Sequence, residues 1–418
     1  MLGFRRNAQG AACLGRSTVR ELLASAGTST PAYLYDLDAI RKTAEDLEAA
    51  LGPEPHLAAY AMKANSAGSI LRTLRAAGLG ADVVSGGELA LALASGFSAD
   101  QILMSGVAKS DAELDQAIGA GIFAIQVESV EEIERVAARA RALGRRARVS
   151  IRVNPDVAID SHAKISTGHK YAKFGVPLAD MPLAFAGIDR EPELLAGVGI
   201  SVHIGSMMTK PEPYERAARS VAELARARRQ SSTTLEYVDF GGGIGIDYGG
   251  APAEPLAAFA RAARQVMGEL GVADLKLVME PGRSLVGSHG ILAANVIGTK
   301  QTATGRFLLL DAGMNDLVRP AMYGAHHRIE PADWEPGPGD WRVVGPVCES
   351  SDDFGTHAIG ERAPELVVIR DAGAYAFTMA SEYNARPLPA EVFVSDGQIV
   401  SVSPSPGVAS WLERRLKA

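Results

Sequence analysis

The stretch 60–65 reads YAMKAN and places one lysine, Lys63, behind an apolar run that starts at Leu57. An unpaired ammonium group in a buried strand costs several kcal/mol, on the order of what a charge loses on leaving water. Either the strand stops one residue earlier and Lys63 points into solvent, or the amine is kept for chemistry. An amine in an apolar, partly dry site loses protons easily and becomes a nucleophile. Other residues with chemical potential follow short apolar runs in the same way: Asn65, Ser85 to Glu88, Ser105, Glu128, Arg152, Asn154, His203, Gly241 to Gly243, and Glu280 to Arg283. Each alone has an ordinary reading. Glu88 would begin a helix, Asn154 before Pro155 is a turn signal, and a single His203 is usually a hydrogen-bonded core histidine.

Two of these groups are glycine turns. In FGGGIG, three glycines let backbone approach a ligand and aim N–H groups at an anion. It is not the dinucleotide fingerprint, because Ile246 stands where its last glycine belongs. By itself the run reads as a mobile turn. The second turn, EPGR, holds Glu280, Pro281, Gly282 and Arg283. Two such turns make a cup for a phosphate, and a lysine on the opposite rim makes the combination fit pyridoxal 5'-phosphate. Lys63 would hold that cofactor as an imine, Glu280 would pair with the ring nitrogen, and His203 would stack on the ring. A Schiff-base aldolase is the rival use of a barrel lysine, but it gives no role to the triple glycine.

The elements that must position these residues are legible from the apolar pattern. Eight runs end in Gly or a polar residue: HLAAYAMKAN, GADVVSGGE, QILMSGVAK, FAIQVES, RVSIRVNP, GVGISVHIGS, LEYVDFGGG and LKLVMEPGR. Helical patterns lie between them. SVEEIERVAARARALG is typical, with Ile133, Val136, Ala137, Ala140 and Leu143 at helical spacing and Ser129 placed to cap. Strands apolar on both faces that alternate with helices predict a parallel sheet. Eight such units over about 230 residues predict a (β/α)₈ barrel, with its site at the strands' C-terminal ends. After Arg283 the pattern changes to strands and turns with little helix, including a hairpin at Asp396–Gly397. The expected organisation is a barrel over residues 36–283 and an all-β domain made of 284–418 together with 1–35.

The bulk properties exclude several classes. A net charge of −7 with no block of like charges points to no nucleic-acid or membrane partner. No apolar run reaches the ~18 residues that span a bilayer, and the N-terminal residues carry no signal-peptide core. Cys13 and Cys348, the two cysteines, cannot build a disulfide framework or a zinc site. A reducing cytoplasm is expected, and no metal.

The chain resembles the diaminopimelate decarboxylase family, pyridoxal-phosphate enzymes of fold type III with an alanine-racemase-like barrel. The resemblance covers roughly residues 30–405. It rests on YAMKAN, ADVVSGGEL, HAKISTG…KFG, HIGS, DFGGGIG, EPGRSLVG, MNDLVRPAMY, GPVCESSD and DAGAYAFTMASEYNARPLPAEV. MNDLVRPAMY, GPVCES and the last block are its more specific parts. It implies that Lys63 carries the cofactor, that His203 stacks on it, and that Glu280 faces the pyridine nitrogen. Ser206, Gly242, Gly243 and the Glu280–Arg283 turn, with Pro281 and Gly282, would surround the phosphate, and Tyr375 would lie near cofactor and substrate. Arg283, Arg319 and Tyr323 would hold the substrate's distal carboxylate, and Glu349 its distal ammonium. Cys348 would be the proton donor. Cys348 and Glu349 would come from the partner subunit of a homodimer with shared sites.

The implied reaction is decarboxylation of meso-2,6-diaminopimelate at its D-centre to L-lysine and CO₂. The residue chemistry agrees. An enzyme that removes one of two carboxylates must hold the other, and arginine suits bidentate carboxylate recognition. Decarboxylases of other basic or carrier-bound amino acids are the neighbouring alternative; a non-catalytic pyridoxal-phosphate protein is the more distant one. A racemase would need two opposed bases. Met207, the 168–175 segment and the Asp352–Asp353 pair depart from the family pattern.

Overall fold

The structure is a computed structural model that describes residues 3–155, 173–231, 234–250, 252–303 and 305–417. The HAKISTG…KFG motif therefore lies outside the described residues, apart from residues 173–175. The chain divides into two compact units: Thr43–Gly245 with Pro252–Ser284, and Met1–Lys42 with Ile246–Ala251 and Leu285–Ala418.

The first unit is the barrel. Its strands are β1 His56–Ala61, β2 Gly80–Val83, β3 Ile102–Met104, β4 Ala124–Val127, β5 Ala147–Asn154, β6 Leu195–Val202, β7 Tyr237–Asp239 and β8 Lys276–Met279. All neighbours pair in parallel, and β8 closes on β1 with Leu277 opposite His56. Each of the eight apolar runs becomes one strand. A two-residue strand, Val176–Pro177, adds to the end of β5 opposite Val153 and Asn154. Side chains of a strand alternate in direction, so every second residue enters the barrel. Near the strand starts this interior is apolar: Leu57, Ala59, Leu103, Phe123, Ala124, Val198, Tyr237 and Val278 form one buried cluster. Toward the strand ends Asp82, Ser105, Gln126, Ser150, Ser201, Asp239 and Glu280 are buried.

The helix Val130–Leu143 shows how local chemistry sets the frame. The Ser129 side chain accepts from the Glu132 N–H, and Gly144 ends the helix at φ 60°. Ile133, Val136, Ala137 and Ala140 are buried as their spacing predicts, but Leu143 is 39% exposed. It sits on the last turn, next to the Gly144 cap, where the stripe has run off the packed face. No helix among the described residues is long and apolar enough to cross a membrane.

The second unit is built on the long strand Gly290–Thr302. It pairs with Ala32–Asp36 and Leu366–Ile369 along its first half and with Gly305–Leu310 along its second. Ala390–Ser395 lies parallel to Ala32–Asp36 and forms the expected hairpin with Gln398–Ser403. Asp396 (φ 50°) and Gly397 (φ 74°) are both left-handed, the pair of conformations that a type I′ hairpin turn requires. The unit is not purely β. It carries helices Val19–Ala26, held by a Thr18–Glu21 capping box, and Gly407–Leu416.

One buried acid in this sheet is a pH lever. Glu391 is 5% exposed, and burial raises its carboxyl from 4.5 to about 7, although the Tyr35 hydroxyl donates to it at 3.0 Å. A folded-state value above the unfolded one means that this group's stabilisation is fully present below 4.5 and lost as pH rises through about 7. Glu391→Gln keeps an acceptor for Tyr35 and should raise unfolding stability by about 2 kcal/mol near pH 8 while changing little near pH 5. Denaturant unfolding at the two pH values checks this; an equal change at both would exclude ionisation as the cause.

Candidate active site

Lys63 lies on the turn Met62–Ala64 that ends β1, with a side chain one-third exposed. The two readings of YAMKAN are thus both partly right: the strand stops at Ala61, and the amine nevertheless reaches a buried partner. Its Nζ donates to Asp82 Oδ2 at 2.7 Å, and the other Asp82 oxygen accepts from the Ser105 hydroxyl. Asp82 is fully buried and is held from two sides, by Lys63 and by Ser105.

Behind this pair lies a second acidic group. Gln126 Nε2 donates to Asp239 Oδ2 at 2.6 Å and to Glu280 Oε1 at 2.7 Å, while its Oε1 accepts from the Ser201 hydroxyl at 2.8 Å. The carboxyls of Asp239 and Glu280 also bond to each other. Burial, then the charges of Asp239 and Asp82, push Glu280 well above the usual carboxylate range; Lys63 acts in the opposite direction. Gly241 N–H donates to Asp239 Oδ1 at 2.8 Å, so the triple glycine also anchors this network.

His203 follows β6. Burial, then the charges of Arg152 and Lys63, hold its imidazole well below the usual range. Gly242 N–H donates to its Nδ1 at 3.3 Å, which makes Nδ1 the acceptor and leaves the proton on Nε2. The ring is therefore neutral, and its 3.8 Å approach to Glu280 is not an ion pair. Arg152 bonds Glu128 at 3.0 Å and donates to the His203 carbonyl at 3.1 Å. Glu88 caps its own neighbourhood, accepting from Val84 N–H, as the ordinary helix-start reading predicts.

The glycine turns are packed rather than mobile. A Cβ at Gly241 would lie 2.2 Å from the Val202 oxygen, at Gly242 2.0 Å from the Glu280 oxygen, and at Gly243 2.0 Å from the Gly205 oxygen. No side chain fits in these gaps, and Gly241 and Gly243 have φ of 69° and 81°. The backbone after β6 bridges that after β7 through Met208 and Ile244. Met207 holds φ 70°, a strained value for a residue with a Cβ. Arg283 Nη2 donates to the Ser206 hydroxyl at 3.4 Å, and a Cβ at Gly282 would lie 3.1 Å from Ala61 Cβ and 3.2 Å from Ala64 Cβ, beside Lys63.

These observations fit a pyridoxal phosphate. A lysine, a neutral imidazole, a buried carboxyl suited to a ring N–H and a glycine-lined turn with Ser206 and Arg283 occupy one end of one barrel.

The remaining expected residues belong to the second unit. Arg319 is buried at the start of helix Arg319–Tyr323, and Tyr323 is half-buried at its end. Tyr375 stands at φ 54°, just after Gly373, whose Cβ would meet the Val286 oxygen at 1.9 Å. Cys348 and Glu349 are exposed. Separate sequence blocks meet here: Asn384 Oδ1 accepts from Cys348 N–H at 2.9 Å, the Tyr383 hydroxyl donates to Glu349 at 2.5 Å, and Ser381 N–H donates to the Asn315 carbonyl at 2.8 Å. Asp352 is the link between them. Its two oxygens accept from Met314 N–H and Val347 N–H, each at 2.6 Å. The doubled acid thus divides its work: Asp352 is structural, and Asp353 pairs with Arg342 on the surface.

Asp82, Gln126 and Asp239 were not among the expected site residues. Their signal was present: an acid or amide within an apolar strand run, at the last residue of the strand for Asp239 and one residue before it for Asp82 and Gln126.

Residues 37–287 match the family model of the pyridoxal-dependent decarboxylases, pyridoxal binding domain. The diaminopimelate decarboxylase of Neisseria meningitidis serogroup A is 41% identical over 88% of this chain and 90% of its own length. That of Zymomonas mobilis is 39% identical over 92% of each. Among solved structures, M. jannaschii diaminopimelate decarboxylase in complex with L-lysine has a TM-score of 0.90 at 32% identity, covering 99% of this chain and 98% of that one. The Helicobacter pylori enzyme, also complexed with L-lysine, has a TM-score of 0.88 at 36% identity, covering 96% and 100%. With a lysine, a neutral histidine and a buried glutamate converging on a glycine cup, and with these likenesses along nearly its whole length, the chain belongs to the pyridoxal-dependent decarboxylases, in the diaminopimelate decarboxylase family.

Proposed function

We propose that this chain decarboxylates meso-2,6-diaminopimelate at its D-centre to give L-lysine and CO₂, the last step of lysine synthesis. The observation that carries the reading is Lys63 at the barrel mouth, paired to a buried acid and facing Glu280 and His203. The relatives' names and their lysine complexes support the substrate. When bound, pyridoxal phosphate supplies an electron sink for the pair left as CO₂ departs. Lys63 would hold the cofactor, and Asp82, which accepts from its Nζ at 2.7 Å, would hold the lysine ammonium whenever that amine is not so engaged. Glu280 would be the partner of a protonated ring nitrogen, and the neutral His203 imidazole would be the group on the ring's side that adds no opposing charge. Ser206, the backbone of Gly242 and Gly243, and the Glu280–Arg283 turn hold the phosphate. Tyr375 borders the cofactor and substrate. Arg319, Tyr323 and Arg283 hold the carboxylate that must survive, and Glu349 its neighbouring ammonium. The Cys348 thiol delivers a proton to the carbon that has lost CO₂.

The exposure of Cys348 and Glu349 supports an active site shared across a homodimer, in which each subunit lends these residues to the other. The two free thiols, Cys13 and Cys348, support a cytoplasmic enzyme.

Borohydride reduction of the yellow holoenzyme should fix a pyridoxyl group on the peptide containing Lys63, and Lys63→Ala should abolish turnover. Label on Lys109 instead would remove Lys63 from its role.

Arg319→Ala should cost about 2–4 kcal/mol in kcat/KM for diaminopimelate. The loss should be far smaller for D-lysine, whose distal end has no carboxylate. Equal losses would make Arg319 a structural residue.

Lys63→Ala and Cys348→Ala should each be nearly inactive. Allowed to exchange subunits, they should recover about a quarter of wild-type activity, since half the dimers are hybrids with one intact site. Confirmed exchange without recovery would place Cys348 in its own subunit's site or outside the chemistry.

A further inference from the structure

Arginine recognises a carboxylate through a planar fork of N–H groups, so its orientation matters as much as its charge. The side chain of Arg319 is long and flexible, yet it is buried and contacted from two directions. On one side, its Nη1 lies 2.7 Å from His327 Nε2. The other imidazole nitrogen, His327 Nδ1, lies 2.9 Å from the carbonyl oxygen of Arg370. A carbonyl can only accept, and a guanidinium can only donate. Nδ1 therefore carries the proton, and Nε2 offers its lone pair to Arg319. The neighbours at both ends dictate the same neutral tautomer.

The anchor of this relay is rigid. Arg370 N–H donates to the Arg328 carbonyl at 2.9 Å, continuing the antiparallel pairing of Ile329–Pro331 with Leu366–Ile369. His327 is 2% exposed, so its ring has no room to turn away. On the other side, the Tyr248 ring centroid lies 4.6 Å from Arg319 Cζ, covering a face of the guanidinium. Tyr248 also meets the His327 ring edge-on, at 5.1 Å and 74°. One aromatic thus packs against both members of the hydrogen bond.

Both contacts orient the guanidinium without neutralising it, because an imidazole lone pair and an aromatic face carry no net charge. An arginine oriented in this way has less rotamer freedom to lose when it binds a carboxylate. We propose that His327 and Tyr248 are positioning residues that preset Arg319 to grip the α-amino-acid carboxylate at the distal end of the substrate. The inference rests on the reading of Arg319 as a carboxylate-binding residue, and it deepens that reading.

L-lysine and 1,5-diaminopentane differ by the carboxylate alone, so their binding to the holoenzyme isolates this contact. Dissociation constants are read from the change in visible absorption on titration. His327→Phe, which fills the space without an acceptor, should weaken L-lysine by about tenfold or more and leave the diamine within about twofold. His327→Gln can accept from Arg319 and donate to the Arg370 carbonyl, and it should stay within about threefold of wild type for both ligands. Tyr248→Leu should weaken L-lysine selectively, whereas Tyr248→Phe should not; this pair carries the test if His327→Phe does not fold. Equal weakening of both ligands would make the two residues merely structural and overturn the proposal. Full L-lysine selectivity in His327→Phe and Tyr248→Leu, with selectivity lost in Arg319→Ala, would overturn it while sparing the role of Arg319. Full selectivity in Arg319→Ala would overturn the reading of Arg319 itself.

Discussion

Three acids, Asp82, Asp239 and Glu280, are buried at the strand ends of one closed barrel, and Lys63 is the cation that meets them. Much of the barrel mouth follows from that concentration of like charge. Burial and mutual repulsion raise the proton affinity of both Asp239 and Glu280, so protons and hydrogen bonds must be shared. Asp82 takes the lysine and the Ser105 hydroxyl. Asp239 and Glu280 share Gln126 and bond to each other, and Glu280 is left with the most strongly raised affinity for a proton. A protonated ring nitrogen is the kind of partner that such a carboxyl lacks, and an amine is the kind of group that Asp82 can hold and release.

The same constraint explains the glycines. A carboxyl network this dense needs backbone donors as well as side chains, and Gly241 and Gly242 supply N–H groups to Asp239 and to His203. The approach is close enough that a Cβ at Gly241 would collide with the Val202 carbonyl of the preceding strand and one at Gly242 with the Glu280 carbonyl after the next strand. The histidine is kept neutral by the neighbouring cations Arg152 and Lys63 as well as by burial, so the site's proton inventory is set by its carboxyls and its lysine.

In the second unit the organising device is smaller. Asp352, buried at 4% exposure, ties Met314 to Val347 and so holds the segment leading to Arg319 against the one leading to Cys348. Gly313 and Gly345 lie beside it where a side chain would strike its carboxylate. Arg319 is then oriented by residues from three further places in the chain, Tyr248, His327 and Arg370. The left-handed conformations at Tyr375, Asn384 and Ala385 show that this unit stores backbone strain close to the same motifs.

The eight strands, the hairpin at Asp396 and the cap at Ser129 were legible in the sequence because each depends on local rules: apolar runs, turn residues and an oxygen within reach of a helix start. The candidates Lys63, His203 and Glu280 were legible for the same reason, since each follows the end of such a run. Their states were not. The pairing of Lys63 with Asp82, the neutrality of His203 and the raised Glu280 all depend on residues many positions away that only barrel closure brings together. FGGGIG read alone as a mobile turn, and the packing of its missing side chains against neighbouring carbonyls appears only in three dimensions. Asp82 and Asp239 were visible as acids in apolar runs, but a single strand does not say whether such an acid faces its own lysine. His327, with an ordinary histidine's surroundings in sequence, gained its tautomer from a guanidinium and a sheet carbonyl. Sequence by itself determined the elements and the kinds of chemistry available, because short-range patterning depends on near neighbours. Tertiary structure alone decided protonation, orientation and partnership, because those are set by electrostatic and hydrogen-bond distances between segments that the linear order keeps apart.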